Sequence, residues 1–250
     1  MTDALRFHER AEALHTILNP ISEAGLDLVG EICAPTAATR LLDLACGKGE
    51  LLCRWAHRYG SSGTGVDLSP VFLTAARERA ASLGVVDRVA LVEGDAARYA
   101  REEAPEGGFD VVSCLGATWI GGGLAGTVEL MAPLLAEGGT MLVGEVYWRG
   151  APSAACLEAY GFGPDDFADL PGTAGRFAAA GFELVDMVLS APGDWDRYVA
   201  TQWRAVHAWL RENPGHPDTE EMRAFLDQGR RGYLEHGRDE MGWGVFVLRR

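Results

Sequence analysis

Three carboxylates stand at or near the ends of successive apolar runs: Asp43 in LLDLACGKGE, Asp67 in GVDLSP and Asp95 in VEGDAA. A fourth, Glu50, follows the glycine pair Gly47 and Gly49. A glycine-rich turn between a strand and a helix brings backbone N–H groups close to a ligand, and acids at strand ends accept hydrogen bonds from a sugar's hydroxyls and a base's amino group. Taken singly, Asp67 before Ser69-Pro70 and Asp95 after Gly94 could each be a turn former. Together, downstream of one glycine loop, they point to a nucleoside.

The loop argues against a phosphorylated nucleoside. A dinucleotide site calls for GxGxxG, and the frame from Gly47 reads GKGELL, with Leu52 at the third glycine. Glu50 within about 4 Å of a phosphate would cost on the order of 4 kcal/mol. The phosphate-loop pattern GxxxxGK[ST] fails as well, because Leu42 stands at its first glycine and Gly49 follows the lysine. A ligand with positive charge and no phosphate suits the site, and S-adenosylmethionine carries a sulfonium and an ammonium.

At these residues the chain resembles the class I S-adenosylmethionine-dependent methyltransferases. The resemblance spans about residues 40 to 190 and rests on LLDLACGKGE, GVDLSP, VEGDAA and FDVVSCLGAT. Ala45, the first alanine of DLACGKG, stands where a glycine is commoner. The resemblance implies methyl transfer from S-adenosylmethionine, with S-adenosylhomocysteine as product. Asp67, 24 residues after Asp43, is expected on the ribose hydroxyls. The Asp95 carboxylate and the Ala96 N–H are expected on adenine, with Leu68 against its face. Asp43 would orient the loop of Ala45, Gly47 and Gly49 or reach the ammonium through water, and carbonyls near Ala45 and Cys114 would take the ammonium directly.

The elements that must hold these groups alternate. Strand-like runs occupy 40–44, 63–67, 89–93, 110–115, 141–145, 183–189 and 245–248. Between the early ones lie punctuated helices: Ser69 caps one with Pro70 at its first position and Gly84 past its end, and Gly60 closes another. This alternation predicts an α/β fold, a doubly wound, mostly parallel, seven-stranded Rossmann-like sheet. The whole chain, 1–250, reads as a single methyltransferase domain. Residues 1–35 add N-terminal helices, and 194–238 form two helices inserted before the last strand as a cap over the acceptor site. In that insertion Val199, Trp203, Val206 and Leu210 share a face. Asp218 with Glu221 reads as a capping box, Gly237 as a C-cap, and Asp194 or Asp196 as an N-cap.

For the acceptor, Glu145 at the end of the fifth strand, Tyr147 beside it and His207 in the cap are the candidate catalytic groups. Glu145 and His207 are general-base candidates, set against structural roles for both. Trp195, Tyr198, Trp203 and Trp209 make the cap rich in aromatics, whether as a lid or as packing. A base is optional, since in-line displacement at carbon draws much of its acceleration from positioning and water exclusion. The six histidines form no i, i+4 pair, so no metal is expected, and no GxSxG elbow is present. SCLGATW differs from the Asn-Pro-Pro-Tyr and Asp-Pro-Pro-Tyr segments of amino-methylating enzymes, and no Pro-Cys nucleophile loop is visible.

A net charge of −14 repels polyanions, so nucleic acid is not the expected acceptor and a small molecule is. Five cysteines without a CxxC pair suit reduced thiols. With no signal-peptide pattern and no membrane-length apolar run, a cytoplasmic protein is expected. Two other functions use the same sheet: a nicotinamide-dependent oxidoreductase, and a module that binds S-adenosylmethionine without catalysis.

Overall fold

The computed structural model describes residues 3–250. One sheet contains β1 (Arg40–Leu44), β2 (Ser62–Asp67), β3 (Val89–Glu93), β4 (Phe109–Leu115), β5 (Leu135–Trp148), β6 (Glu183–Leu189) and β7 (Met241–Arg249). Its order is β3-β2-β1-β4-β5-β7-β6. The first five strands run parallel, and β7 lies antiparallel between β5 and β6. The order reverses direction at β1 and β4, which leaves a crevice beyond their carboxyl ends. All seven expected strands form. β5 and β7 exceed their expected lengths because Met141 to Trp148 pairs continuously with Met241 to Leu248.

Strand alternation divides the core into two layers. Leu41 faces α3 (Glu50–Tyr59), where Leu51, Leu52 and Trp55 are buried beside α2 (Glu23–Cys33) and α4 (Pro70–Ser82). Leu42 and Leu44 face the other way, toward α5 (Ala96–Glu102), α6 (Leu124–Met131) and, further along, α8 (Leu170–Ala179). A buried leucine or phenylalanine of this kind contributes about 1.5–3 kcal/mol. Leu52, which breaks the dinucleotide pattern, is accommodated from the strand side. A Cβ on Gly63 or Gly65 of β2 would lie 2.5 or 2.6 Å from its methyl groups. The close helix-to-sheet approach is thus kept by glycines in the strand.

Local signals place α4 as expected. Ser69 Oγ accepts the Phe72 N–H at 3.0 Å, and Gly84 at φ +68° follows the helix end. Gly60 at φ +74° closes α3. The N-terminal region is α1 (Asp3–Ala11), a short 3-10 turn at Glu12–Leu14, and an irregular stretch leading to α2. After a short α7 (Ala154–Tyr160) come α8 and β6, and then the insertion, which is α9 (Pro192–Glu212) and α10 (Thr219–Gly232).

Three expected caps are corrected. Asp218 precedes α10, but its side chain caps nothing; it pairs with Arg6 and Arg10 of α1 at 3.0 and 2.7 Å. Asp194 and Asp196 lie inside α9, which starts at Pro192, and Asp196 bonds Tyr233 and Arg238. Gly237 ends nothing either, because its backbone stays helical (φ −56°) and the chain continues helically to Glu240; a Cβ there would strike Tyr160.

Candidate active site

A cavity of about 610 Å³ opens at the carboxyl edge of the sheet, where β1 and β4 part. Its size falls in the roughly 300–1,000 Å³ range of small-molecule sites. Asp43, Ala45, Cys46 and Gly47 enter it from the end of β1, Asp67 and Leu68 from β2, Asp95 and Ala96 from β3, and Leu115, Gly116 and Ala117 from β4. Ala4, Leu5, His8 and residues 16–19 supply a further wall. The N-terminal strap, not the insertion, therefore bounds the site.

The loop after β1 turns through three left-handed residues, Ala45 (φ +58°), Gly47 (φ +55°) and Gly49 (φ +68°). Gly47 N–H donates to Asp67 Oδ2 at 2.7 Å, and Ser69 N–H to Oδ1 at 2.8 Å, so one carboxylate ties together the loops after β1 and β2. Each oxygen keeps a lone pair for a further donor. Burial pushes the Asp67 carboxyl up, opposed by those two amides. Asp43 is buried and accepts the Ser113 hydroxyl at 2.6 Å. Burial pushes its pKa up to about 7 against the Ser113 bond, aided by the nearby Asp67 charge. Asp95 is exposed at the mouth and caps α5 through the Arg98 N–H at 2.8 Å.

Several expected residues lie elsewhere. Gly49 is absent from the wall; a Cβ on it would lie 3.0 Å from Ala76, so it lets α3 approach α4. Cys114 is fully buried in the layer beneath β4, and Leu115 to Ala117 occupy the wall in its place. Glu145 and Tyr147 point into that same lower layer. Tyr147 packs on Gly242, and Glu145 bonds the Thr118 side chain and the Val146 N–H. Burial lifts Glu145 to a pKa of about 7, with Thr118, Val146 and Arg176 opposing. His207 is exposed on α9. Among the described residues none from 194–238 lines the cavity, which corrects their placement over it. Strand alternation explains Glu145 and Tyr147: both share the parity of Val143, which faces α6 and α8.

The strap is fastened by residues whose roles no local pattern signals. Lys48, the single lysine of the chain, donates to the carbonyls of Glu12, Ala13 and His15 at 2.8, 3.4 and 2.6 Å. Glu12, fully buried, accepts Tyr198 Oη and Gln202 Nε2, each at 2.6 Å, and lies 2.9 Å from His15 Nδ1. Burial raises the Glu12 carboxyl, but His15, His8 and the Tyr198 hydroxyl outweigh it and hold the group below the usual range. Glu9 accepts the Ser69 hydroxyl at 2.6 Å, and His8 sits edge-on to Phe72 at 5.6 Å. Close approach needs glycine twice. A Cβ on Gly47 would lie 2.7 Å from the Leu18 side chain, and one on Gly116 (φ +79°) would strike Asn19.

Glu50 borders the cavity but does not act as a free anion. Arg54 Nε reaches it at 2.6 Å, and Arg79 clasps both its oxygens at 2.8 and 2.9 Å. The expected repulsion of phosphate by Glu50 is thus largely neutralised. The acids left facing the ligand, among the described residues, are Asp43, Asp67 and Asp95. Acids for hydroxyl, amino and ammonium donors, with a glycine-lined cradle between them, fit a nucleoside carrying an amino-acid tail.

Residues 41–139 match a family model described as a methyltransferase domain. The Escherichia coli (strain K12) protein YjhP is 42% identical over 248 residues, which cover 98% of each chain. A crystal structure of a methyltransferase from Geobacter sulfurreducens, in complex with S-adenosyl-L-homocysteine, has 40% identity and a TM-score of 0.92 over 98% of this chain and 97% of that one. Its counterpart from Thiobacillus denitrificans, in complex with the same molecule, has 39% identity and a TM-score of 0.91 over 100% and 98%. Identity and fold agree along the whole length, and the chain belongs to the class I S-adenosylmethionine-dependent methyltransferases.

Proposed function

We propose that this enzyme methylates a small molecule that enters beneath the N-terminal strap. The observation that carries the reading is the cavity of about 610 Å³, walled by the strap and by the glycine loop with Asp67 and Asp95. A net charge of −14 disfavours nucleic acid as the acceptor.

In this reading Asp67 holds the ribose hydroxyls, Asp95 and the Ala96 N–H hold adenine, and Leu68 covers its face. Asp43 faces the ammonium, directly or through water, and carbonyls near Ala45 and Leu115 share that charge. S-adenosylmethionine, when bound, supplies an electrophilic methyl group on its sulfonium. The chain's own contribution is to align the acceptor and exclude water, which can supply most of the acceleration. Glu145, Tyr147 and His207 have no place in this step, because their side chains lie off the cavity. Glu145 acts only through Thr118, beside Trp119 on the wall.

Calorimetric titration with S-adenosylmethionine and NAD, followed by mass spectrometry of a metabolite extract incubated with enzyme and S-adenosylmethionine, tests this. Low-micromolar binding of S-adenosylmethionine, none of NAD, and a small product 14 mass units heavier are expected. Absence of any small methylated product would overturn the acceptor assignment.

A further inference from the structure

Resting on the methyl-transfer reading, the charges around the cavity narrow the acceptor. The sheet order sets adenosine over β3 and β2 and the amino-acid tail between β1 and β4. The acceptor then meets the rest of the wall, to which Thr16, Ile17 and Asn19 of the strap and Trp119 and Ile120 after β4 contribute. These residues offer one hydroxyl, one amide and the Trp119 indole N–H on otherwise apolar side chains, with Trp119 73% exposed.

An anionic acceptor would find no partner there. Lys48 is the single lysine or arginine bordering the cavity among the described residues, and its three N–H donors face three strap carbonyls. Arg54 and Arg79 are committed to Glu50. Asp43, Asp67 and Asp95 would repel a carboxylate or phosphate. A cationic acceptor fares little better, since those acids serve the nucleoside and, among the described residues, the remaining carboxylate on the wall, Glu50, is held by Arg54 and Arg79. His8 also stands on the wall, toward Phe72 and Asp67 at the adenosine end, and burial pushes the Cys46 thiol well up, so it stays uncharged. Placing a charge in such a pocket without a partner is costly, whereas an apolar body gains by burial.

We infer that the acceptor is an uncharged molecule with an apolar body, seated between residues 16–19 of the strap and Trp119-Ile120, and that carboxylate- and phosphate-bearing metabolites are rejected.

Three probes with one ring system test this on protein saturated with S-adenosylhomocysteine: 1-naphthol (neutral), 1-naphthoate (anionic) and 1-naphthylmethylammonium (cationic), followed by tryptophan fluorescence and calorimetry. Naphthol is expected to bind at least tenfold tighter than either ion. Thr16 is exposed, so Thr16→Arg fits without unfolding and should raise naphthoate affinity at least fivefold relative to naphthol. Equal or tighter naphthoate binding to the unsubstituted protein, no binding of any probe, or no shift in Thr16→Arg would each overturn the inference. Titrating S-adenosylhomocysteine into every sample separates the readings: no affinity for it would remove the methyl-transfer reading itself, whereas retained affinity with reversed probe preference removes only the acceptor class.

Discussion

The N-terminal strap and the inserted helices are both helical additions to one sheet, yet only the strap lines the cavity. The insertion holds the aromatic residues: Trp195 is buried, Trp203 meets Tyr233 edge-on at 6.2 Å, and Arg10 lies over Trp209 at 4.2 Å. The strap brings aliphatic and small polar groups. The insertion acts from behind, through Tyr198 and Gln202 on Glu12 and Asp218 on Arg6 and Arg10. Aromatic content marks where helices pack together. Contact with the carboxyl edge of the sheet marks where a ligand sits.

If that division holds, the largest effect should come from the buried carboxylate joining the two regions. Glu12→Ala leaves Tyr198 and Gln202 without their shared acceptor, and stripping one partner from a buried network costs about 3–5 kcal/mol. Released strap segments should bind S-adenosylhomocysteine at least 100-fold more weakly and be cut sooner by trypsin at Arg10; calorimetry and a proteolysis time course read both. Affinity retained within twofold would mean that the strap is no wall of the site. Next in size is Asp67→Ala, which removes acceptors for the ribose and for the Gly47 and Ser69 amides. The expected loss is about 2–4 kcal/mol of cofactor affinity, or roughly 30- to 1,000-fold. An unchanged dissociation constant would displace the ribose from β2.

These residues also show what a sequence can disclose. Asp67 and Asp95 are legible because their setting is local: the strand before each, the cap after each and the glycine loop upstream belong to one alternating pattern. Glu12 is not, because its partners Tyr198 and Gln202 are 186 and 190 residues away, and it stands in a run that reads as an ordinary polar helix face. Lys48 belongs to the loop motif, yet nothing local says that it faces the strap. The run at the end of β5 does not disclose its parity: Glu145 and Tyr147 follow Met141 and Val143 into the lower layer, while Leu142 takes the opposite face. Asp218 has the spacing of a cap but meets two arginines from the other end of the chain.

Lys48→Met separates the two regions more finely. It removes charge-assisted bonds to strap carbonyls and leaves the insertion's contacts in place, with an expected effect of about 1–3 kcal/mol. Stopped-flow release of S-adenosylhomocysteine should quicken about tenfold, whereas His207→Ala on exposed α9 should change stability by less than about 0.5 kcal/mol. Equal effects from the two substitutions would erase the distinction. Beneath both regions, Asp43 predicts a pH dependence. Its folded pKa of about 7 exceeds the ordinary carboxylate value, so the folded state holds the proton more tightly than the unfolded chain. That contribution is complete below about pH 4 and is lost as pH rises through 7. Glu145 acts in the same direction. Melting of the ligand-free protein from pH 5 to 8 should therefore flatten in Asp43→Asn, and an unaltered slope would place the buried proton elsewhere.

A change smaller than that of Lys48→Met lies where the strap and the sheet edge meet. Ala45 occupies the left-handed region at φ +58°, a conformation that costs an L-residue roughly 1–2 kcal/mol. Glycine would relieve it, less about 0.5–1 kcal/mol for the greater freedom of its unfolded chain. Ala45→Gly should then stabilise the protein by about 0.5–1 kcal/mol, a rise of about 1–4 °C in melting temperature for a chain of this size. The strap's close approach to this loop is Leu18 over Gly47, so this gain should survive in Glu12→Ala, where the strap is released. If the gain vanishes in that background, the loop's strained turn is maintained by the strap, and the two regions are coupled more tightly than their separate contacts imply.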